Sequence, residues 1–323
     1  MRYAHIPGAD LTPAVLCLGT GEMGATIDRE AAFDLLDQYL DAGGNFIDTA
    51  KIYNDWVPGE TSRSEKIIGA WIQSRGNRQK IILATKGAHP NLDHMEIQRL
   101  SPAEITADLE ASLRHLQTDV IDLYWLHRDD VNRPVEEIVD TLNAQARAGK
   151  MRFFGCSNWR AGRIQAAQAY AARGGLQGFS AVQNLWNLAA VNPEGVGDPT
   201  LVVMDDALWK YQRETQLAAV PFTSQANGLF QKLETGLPEA LSRGQRAMYL
   251  NPETEARYQR IQALKPRTGL TTSQIVLGYL TSQPFPTFPV IGPRTARQLS
   301  DSLTAADVTL TPEQVTFLTS GTV

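Results

Sequence analysis

The sequence predicts an α/β protein folded as a (β/α)8 TIM barrel, with an N-terminal β-hairpin that caps the barrel bottom. Eight short apolar runs alternate with longer segments of helical period, and several runs are apolar at every position, as strands buried on both faces are. Alternating strands and helices favour a parallel sheet, and eight repeats in 323 residues fit a closed barrel. We expect a single domain over residues 1–323.

The elements can be assigned in chain order. Arg2–Ile6 and Leu11–Val15 flank a Pro-Gly-Ala-Asp turn and predict the hairpin. Apolar residues at helical spacing predict the first helices, and Ser101 with Glu104 forms a capping box, a spacing repeated from Thr271, Thr295 and Thr311. The eight predicted strands are Leu16–Thr20, Asn45–Thr49, Ile81–Lys86, Val120–His127, Phe153–Ser157, Ala181–Asn184, Ala218–Thr223 and Thr287–Val290.

A competing fold is an open doubly wound sheet that binds a dinucleotide. Gly19, Gly21 and Gly24 have the spacing of its phosphate-binding turn. However, no acidic residue ends a second strand about twenty residues further on, where a ribose ligand is needed. The barrel is therefore the stronger prediction, with these glycines in its first loop.

Composition narrows the function classes. The chain has 30 Lys and Arg against 35 Asp and Glu and a net charge of −5, with no basic stripe of the kind that binds nucleic acid. No apolar run approaches the ~20 residues that span a bilayer, and the first residues lack the apolar core of a signal peptide. Two cysteines are too few for a disulfide framework or a zinc site. We expect a cytoplasmic, metal-independent protein, with its oligomeric state open between monomer and homo-oligomer.

Polar residues end three neighbouring predicted strands. Asp48, Lys86 and His127 lie where a barrel carries its active site, and Tyr53 follows in the loop after Asp48. Burying charge alone is costly, so Asp48 and Lys86 are expected to pair. A nearby ammonium lowers the pKa of a phenol, and a neutral His127 would orient a carbonyl oxygen. These residues predict an acid–base site; the plainer alternative is a structural polar network at the barrel rim.

Several stretches then resemble the aldo-keto reductase family. DAGGNFIDTAKIY matches its Asp and Tyr motif, ATKG carries its lysine and DLYWLHRDD its histidine, while GCSNW, AVQNLWN and IGPRTARQLSDSL follow in family order. The resemblance covers the chain and is greatest to a bacterial branch similar to the voltage-gated potassium channel beta subunits. It implies a barrel that binds NADPH or NADH without a Rossmann motif. It also implies reversible hydride transfer to an aldehyde, ketone or sugar carbonyl.

The resemblance also implies residue roles. Tyr53 becomes the general acid, its pKa lowered by Lys86 and Asp48, with His127 orienting the carbonyl. Trp56 and His89, beside His127, are implied walls of the pocket for a small carbonyl or alcohol substrate. The implied cofactor contacts are Gly19, Thr20, Asp48, Ser157, Asn158, Gln183, Trp186, Thr223, Ser224, Gln225, Gly228, Ile291, Gly292, Arg294, Gln298 and Asp301.

Within this set each group has an expected partner. The polar trio Ser157, Asn158 and Gln183 holds the carboxamide, Trp186 stacks on the nicotinamide, and Arg294 binds a 2′-phosphate. The loop FTSQANGLF departs from the family pattern, and so does Asp301-Ser302, where the family has Glu-Asn. NADP(H) is therefore expected and NAD(H) stays open. Little chain follows the last predicted helix, so we expect specificity from the loops Asn54–Thr61, Asn91–Leu100 and Asn187–Pro199.

Two other functions stay open. Some members of the family are cytoplasmic subunits that bind nicotinamide tightly and turn over slowly, which makes a redox-sensing regulatory subunit the alternative. Setting the resemblance aside, a lyase could use Lys86 as a Schiff base, although a paired Asp48 argues against it.

Overall fold

The computed structural model describes residues 1–236 and 238–322. Within them, eight parallel strands form one sheet in the order β7-β6-β5-β4-β3-β2-β1-β8. Ala219 of the seventh strand bridges Thr287, and the Val290 amide donates to the Pro221 carbonyl at 2.9 Å, which closes the sheet. The strands are β1 (Cys17–Gly19), β2 (Phe46–Asp48), β3 (Ile82–Gly87), β4 (Ile121–Leu126), β5 (Met151–Ser157), β6 (Ala181–Gln183), β7 (Ala218–Ala219) and β8 (Val290–Ile291).

Helices surround the strands and alternate with them. Capping boxes begin the helices after Ser101, Thr271 and Thr311, as predicted. The described helices are α1 (Arg29–Asp41), α2 (Arg63–Arg75), α3 (Pro102–Leu116), α4 (Val135–Arg147), α5 (Ala161–Gly174), α6 (Asp206–Thr215), α7 (Leu229–Glu234), α8 (Arg243–Tyr249), α9 (Pro252–Thr268), α10 (Thr272–Thr281), α11 (Ala296–Leu303) and α12 (Pro312–Ser320), with short 3-10 turns at Arg78–Lys80, Pro193–Gly195, Ala226–Gly228 and Pro238–Ala240.

The N-terminal hairpin forms as predicted. The Ala4 and Ile6 amides donate to the Pro13 and Leu11 carbonyls, each at 3.0 Å. Ile6 and Leu11 are buried in the same apolar cluster as Phe46 of β2 and the other side chains that fill the barrel. The hairpin therefore closes the end of the barrel opposite the carboxyl ends of the strands.

The last two strands are shorter than predicted. β7 ends at Ala219 because Pro221 has no amide hydrogen and Thr223 adopts a φ of 55°. The eighth strand was predicted at Thr287–Val290 but lies at Val290–Ile291, because Pro289 interrupts the ladder of amide donors. Prolines thus set the strand limits in this quarter of the barrel.

The remaining loops define the open face. The longest crosses the carboxyl end of the barrel between β6 and α6 and contains the Pro193–Gly195 turn. Among the described helices, none combines the length and the apolar character needed to span a bilayer.

Candidate active site

Strands β2, β3 and the loop after β2 bring three of the predicted residues into direct contact. Lys86 Nζ lies 2.5 Å from Asp48 Oδ2, 2.9 Å from Tyr53 Oη and 2.8 Å from the Thr49 carbonyl oxygen. The Lys86 and Asp48 side chains are 1% and 2% exposed. The predicted pairing of the two charges is present, and Tyr53 completes the set of partners.

The three bonds determine where hydrogens lie. An ammonium has three N–H donors and no acceptor, so Lys86 donates in each bond. The hydrogen between Lys86 and Tyr53 therefore belongs to the lysine. The phenol's own hydrogen must point away from Lys86.

The charges of this cluster follow from burial and pairing. Burial by itself would lower the pKa of Lys86, but Asp48 and then Tyr53 raise it above its usual value, so the ammonium is charged at neutral pH. The expectation for Tyr53 was wrong in direction. Burial raises the pKa of the phenol more than Lys86 lowers it, and the Asp48 charge raises it further. Tyr53 is therefore a neutral phenol that holds its proton.

Asp48 has a second oxygen, and its partners include a residue that sequence reasoning missed. Trp125 Nε1 and Gln183 Nε2 both donate to Asp48 Oδ1 at 3.0 Å. Trp125 lies two residues before His127 on β4 and pairs in register with Lys86, so it faces the same side of the sheet. The two-residue spacing between Trp125 and His127 was the sequence signal that could have identified Trp125.

His127 lies beside Tyr53, with ring centroids 6.0 Å apart. The side chain is buried, and among the described residues nothing bonds its Nδ1, which is enclosed by protein. Burial, and then the charge of Arg128, hold the pKa of His127 well below its usual value. The imidazole is neutral, as predicted.

The predicted pocket residues also gather here. His89 is 8% exposed, its ring centroid lies 4.7 Å from that of His127, and its Nδ1 lies 2.7 Å from the Pro90 carbonyl oxygen. Trp56 meets the Tyr53 ring edge to face at 6.4 Å and is 55% exposed. The two form a polar and an aromatic wall on either side of the Tyr53–His127 pair.

Arg128 is a second residue that the sequence did not single out. Its side chain is buried, and it donates to Thr200 Oγ1 at 2.7 Å, Asp198 Oδ2 at 2.9 Å and the His127 carbonyl at 2.9 Å. Asp198 and Thr200 belong to the long loop after β6. Arg128 therefore ties that loop to the end of β4, beside the site.

The ends of β5 and β6 fit a primary carboxamide. Ser157 and Gln183 pair in register. Gln183 donates its amide to Asp48, and among the described residues no donor contacts its Oε1. Ser157 Oγ accepts a bond from Asn158 Nδ2 at 3.0 Å, so its own hydrogen can be donated. One acceptor and one donor therefore face the site.

Asn158 was expected to hold the carboxamide together with Ser157 and Gln183, but its side chain bonds to the protein instead. Its Nδ2 donates to Ser157 and to the His127 carbonyl, and its Oδ1 accepts from the Val202 amide at 3.0 Å. The side chain is fully engaged in holding the ends of β4 and β5 and the long loop, which suits a supporting role.

Trp186 packs against aromatic side chains of an apolar cluster in this structure. Its ring stacks on Phe285 with centroids 6.0 Å apart and meets Tyr279 edge to face at 6.1 Å. It belongs to an apolar cluster with α9 and α10 and is 7% exposed. Its ring fills space among these apolar side chains, and its stacking on a nicotinamide stays a prediction.

The first and seventh loops carry the next group of predicted contacts. A Cβ at Gly19 would lie 2.6 Å from the Val290 side chain, so the close pairing of β1 and β8 requires glycine there. Two of the predicted contact residues donate hydrogen bonds from their hydroxyl groups to backbone carbonyls. Thr20 donates to the Asp48 carbonyl at 3.0 Å, and Ser224 donates to the Val290 carbonyl at 2.6 Å. The backbone has positive φ at Thr223 (55°) and Gly228 (74°), and Gln225 accepts a bond from Ser302 at 3.4 Å.

The residues after β8 are held by one another and by their neighbours. Arg294 donates to Glu22 Oε1 at 3.0 Å, so a carboxylate takes the place that was predicted for the 2′-phosphate. Gln298 Oε1 accepts a hydrogen bond from the backbone amide of Arg294 at 2.7 Å. In the predicted capping box the donor would be the amide of the next residue, Thr295. Asp301 accepts from Ser273 of α10. Ile291 is buried, and a Cβ at Gly292 would contact nothing within 4 Å.

Comparison with known proteins shows the family. The sequence profile described as the Aldo/keto reductase family matches residues 15–320. The chain belongs to this family. It is an oxidoreductase of a family whose members carry out NAD(P)H-dependent carbonyl reduction. The resemblance predicted from the motifs is confirmed; the placement in a bacterial, channel-subunit-like branch stays a prediction.

Curated relatives and a solved structure agree. The chain is 31% identical to the uncharacterized oxidoreductase YrpG of Bacillus subtilis, over 98% of this chain and 95% of that protein. It is 32% identical to norsolorinic acid reductase stcV of Emericella nidulans, over 96% and 78%. It is 30% identical to an aryl-alcohol dehydrogenase [NADP(+)] of Phanerodontia chrysosporium, over 97% and 83%. The thermostable aldo-keto reductase Tm1743 superposes with a TM-score of 0.74 over 99% of both chains at 20% identity, which confirms the barrel.

Proposed function

We propose that this aldo-keto reductase prefers NADP(H) and reversibly transfers hydride between nicotinamide and an aldehyde, ketone or sugar carbonyl, with Tyr53 as the general acid and base. The observation that carries the proposal is the arrangement of three acceptors around Lys86 Nζ. Because that ammonium donates to Tyr53 Oη, the phenol's hydrogen is directed into the cleft beside His127. A proton donor and a neutral imidazole thus meet where a carbonyl oxygen would lie.

The reaction balances with these groups. When bound, NADPH would be the source of the hydride that reduces the carbonyl carbon. Tyr53 gives its proton to the carbonyl oxygen, and Lys86 stabilises the phenolate that remains until a solvent proton replaces it. His127 donates a hydrogen bond that orients the oxygen, and Asp48 keeps Lys86 charged and in position. A phenol with a raised pKa suits this direction, since it is protonated at the start of each turnover.

Ser157 and Gln183 support binding of a nicotinamide, and Arg294 supports the preference for NADP(H). The open hydrogen of Ser157 and the open oxygen of Gln183 match the carbonyl and amino groups of a carboxamide. Arg294 would exchange Glu22 for a 2′-phosphate, which is the basis for NADP(H) over NAD(H). The exposed ring of Trp56 and the aryl-alcohol dehydrogenase among the relatives favour aromatic aldehydes as first substrates.

The test is transfer of label. Wild-type protein is incubated with benzaldehyde and NADPH that carries deuterium on the transferred position at C4. The proposal expects one deuterium on the alcohol carbon of the product. Reduction without label in the product would overturn hydride transfer. Binding of NADPH with very slow turnover and release would favour the redox-sensing alternative.

The Schiff-base alternative is tested in the same sample. Imine formation needs a neutral amine, whereas Lys86 is charged and donates all three of its hydrogens. We expect no borohydride-trapped adduct on Lys86 by mass spectrometry. A stoichiometric adduct would contradict the proposed role of this lysine.

A further inference from the structure

The second imidazole of the site, His89, has a fixed tautomer. Its Nδ1 lies 2.7 Å from the Pro90 carbonyl oxygen, which can only accept, so Nδ1 carries the hydrogen. Burial, and then the Arg128 charge, lower the pKa of His89 to about 4, so the ring is neutral near pH 7. A neutral imidazole protonated on Nδ1 has a lone pair on Nε2. His89 is therefore a hydrogen-bond acceptor at its far nitrogen.

This acceptor is accessible and belongs to a ring that lies beside His127. Among the described residues no donor contacts His89 Nε2, and this nitrogen is not enclosed by protein. The ring centroid lies 4.7 Å from that of His127, which is itself 6.0 Å from that of Tyr53. A group that accepts hydrogen bonds thus lies one imidazole away from the proposed acid.

His127 has the opposite polarity. Its Nδ1 is enclosed and has no partner in the described chain, so a hydrogen there would be a buried donor with nothing to bond. Its Nε2 can reach the cleft, and the single hydrogen of the neutral ring is satisfied only on that side. The two neighbouring rings therefore present one donor, from His127, and one acceptor, from His89.

We propose that His89 accepts a hydrogen bond from a substrate hydroxyl on the carbon next to the reacting carbonyl, so that the site prefers α-hydroxycarbonyl compounds. The carbonyl oxygen takes the donor of His127 and the proton of Tyr53, and the adjacent hydroxyl donates to His89. This inference rests on the proposed reductase activity and names the substrate class of that same site. A substrate without the hydroxyl leaves the His89 lone pair without a partner in a largely buried position.

The test compares substrates that differ only by hydroxyl and methyl. We would measure kcat/KM for α-hydroxyacetophenone against propiophenone, and for 2-hydroxypropanal against 2-methylpropanal, in wild type, His89→Leu and His89→Gln. Gln places an amide oxygen near the position of the imidazole Nε2, whereas Leu offers no acceptor. His5→Leu, an exposed histidine in the N-terminal hairpin at the opposite end of the barrel, is the matched control.

We expect the preference for the hydroxylated partner to fall roughly three- to tenfold in His89→Leu, the range of one neutral hydrogen bond. It should be partly restored in His89→Gln and unchanged in His5→Leu. If a His89→Leu protein melted like wild type, reduced the methyl compounds and kept the preference unchanged, the role of His89 would be overturned while the proposed reductase function would stand. If wild type transferred no hydride to these carbonyls or to benzaldehyde, the proposed function itself would be overturned.

Discussion

Removal of the buried ammonium in Lys86→Met is expected to destabilise the fold strongly. Methionine keeps an unbranched chain of similar length, so the main change is loss of charge opposite Asp48, which is 2.5 Å from Lys86 Nζ. Breaking a buried ion pair from one side costs about 3–5 kcal/mol. Asp48 keeps its bonds from Trp125 and Gln183, so we expect the lower end, about 3 kcal/mol.

Urea titration without cofactor measures the change, with tryptophan fluorescence and circular dichroism as paired probes. Combining Lys86→Met with Asp48→Asn should recover part of the loss, because no unpaired charge remains while the amide oxygen still accepts both bonds. The matched control is Lys66→Met, which breaks an exposed pair with Glu60 at 2.8 Å and should cost no more than about 1 kcal/mol. If Lys86→Met cost as little stability as the control, or if the double variant were no more stable than Lys86→Met, the unpaired Asp48 charge would not be the cause of the loss.

Other perturbations test neighbouring contacts. Glu22→Gln releases Arg294 and should lower the KM for NADPH about two- to fivefold with the KM for NADH unchanged; equal effects on both would contradict a 2′-phosphate contact. Trp125→Phe removes a donor to Asp48 and should cost about 1–2 kcal/mol and lower kcat more than it changes KM; an unaltered kcat would argue against a positioning role. Since burial holds the pKa of His89 near 4 in the folded protein, the unfolded chain binds its proton first as pH falls below about 6.5. Folding stability should therefore drop by about 2 kcal/mol more in wild type than in His89→Gln between pH 7 and 4.5, and parallel urea curves would contradict this.

The barrel and the grouping of Asp48, Tyr53, Lys86 and His127 were predictable because both depend on local sequence. Strands buried on both faces are apolar throughout, and a charged residue at the end of such a strand has few roles other than a site or a pair. Asp48, Lys86 and His127 stood out for that reason. The limits of β8 were less predictable. The run Thr287–Val290 was predicted as one strand, but Pro289 within it has no amide hydrogen to donate to the neighbouring strand.

Other features depend on partners that are distant in the chain. Trp125 reads as one more apolar residue of β4, and only the fold shows that its N–H meets Asp48. Arg128 is bound by Asp198, 70 residues further on in an irregular loop. The direction of the Tyr53 pKa shift depends on the balance between burial and the Lys86 charge, and the sequence gives no measure of burial for a loop residue.

In the proposed reaction Tyr53 supplies the proton, and the Tyr53→Phe variant tests that role. Single-turnover oxidation of NADPH by benzaldehyde would be followed in both proteins, alongside NADPH binding measured by calorimetry. We expect a rate lower by about 10²- to 10⁴-fold, the range for loss of a general acid, with the Kd for NADPH nearly unchanged. A variant that binds NADPH normally and keeps a rate close to that of wild type would contradict it.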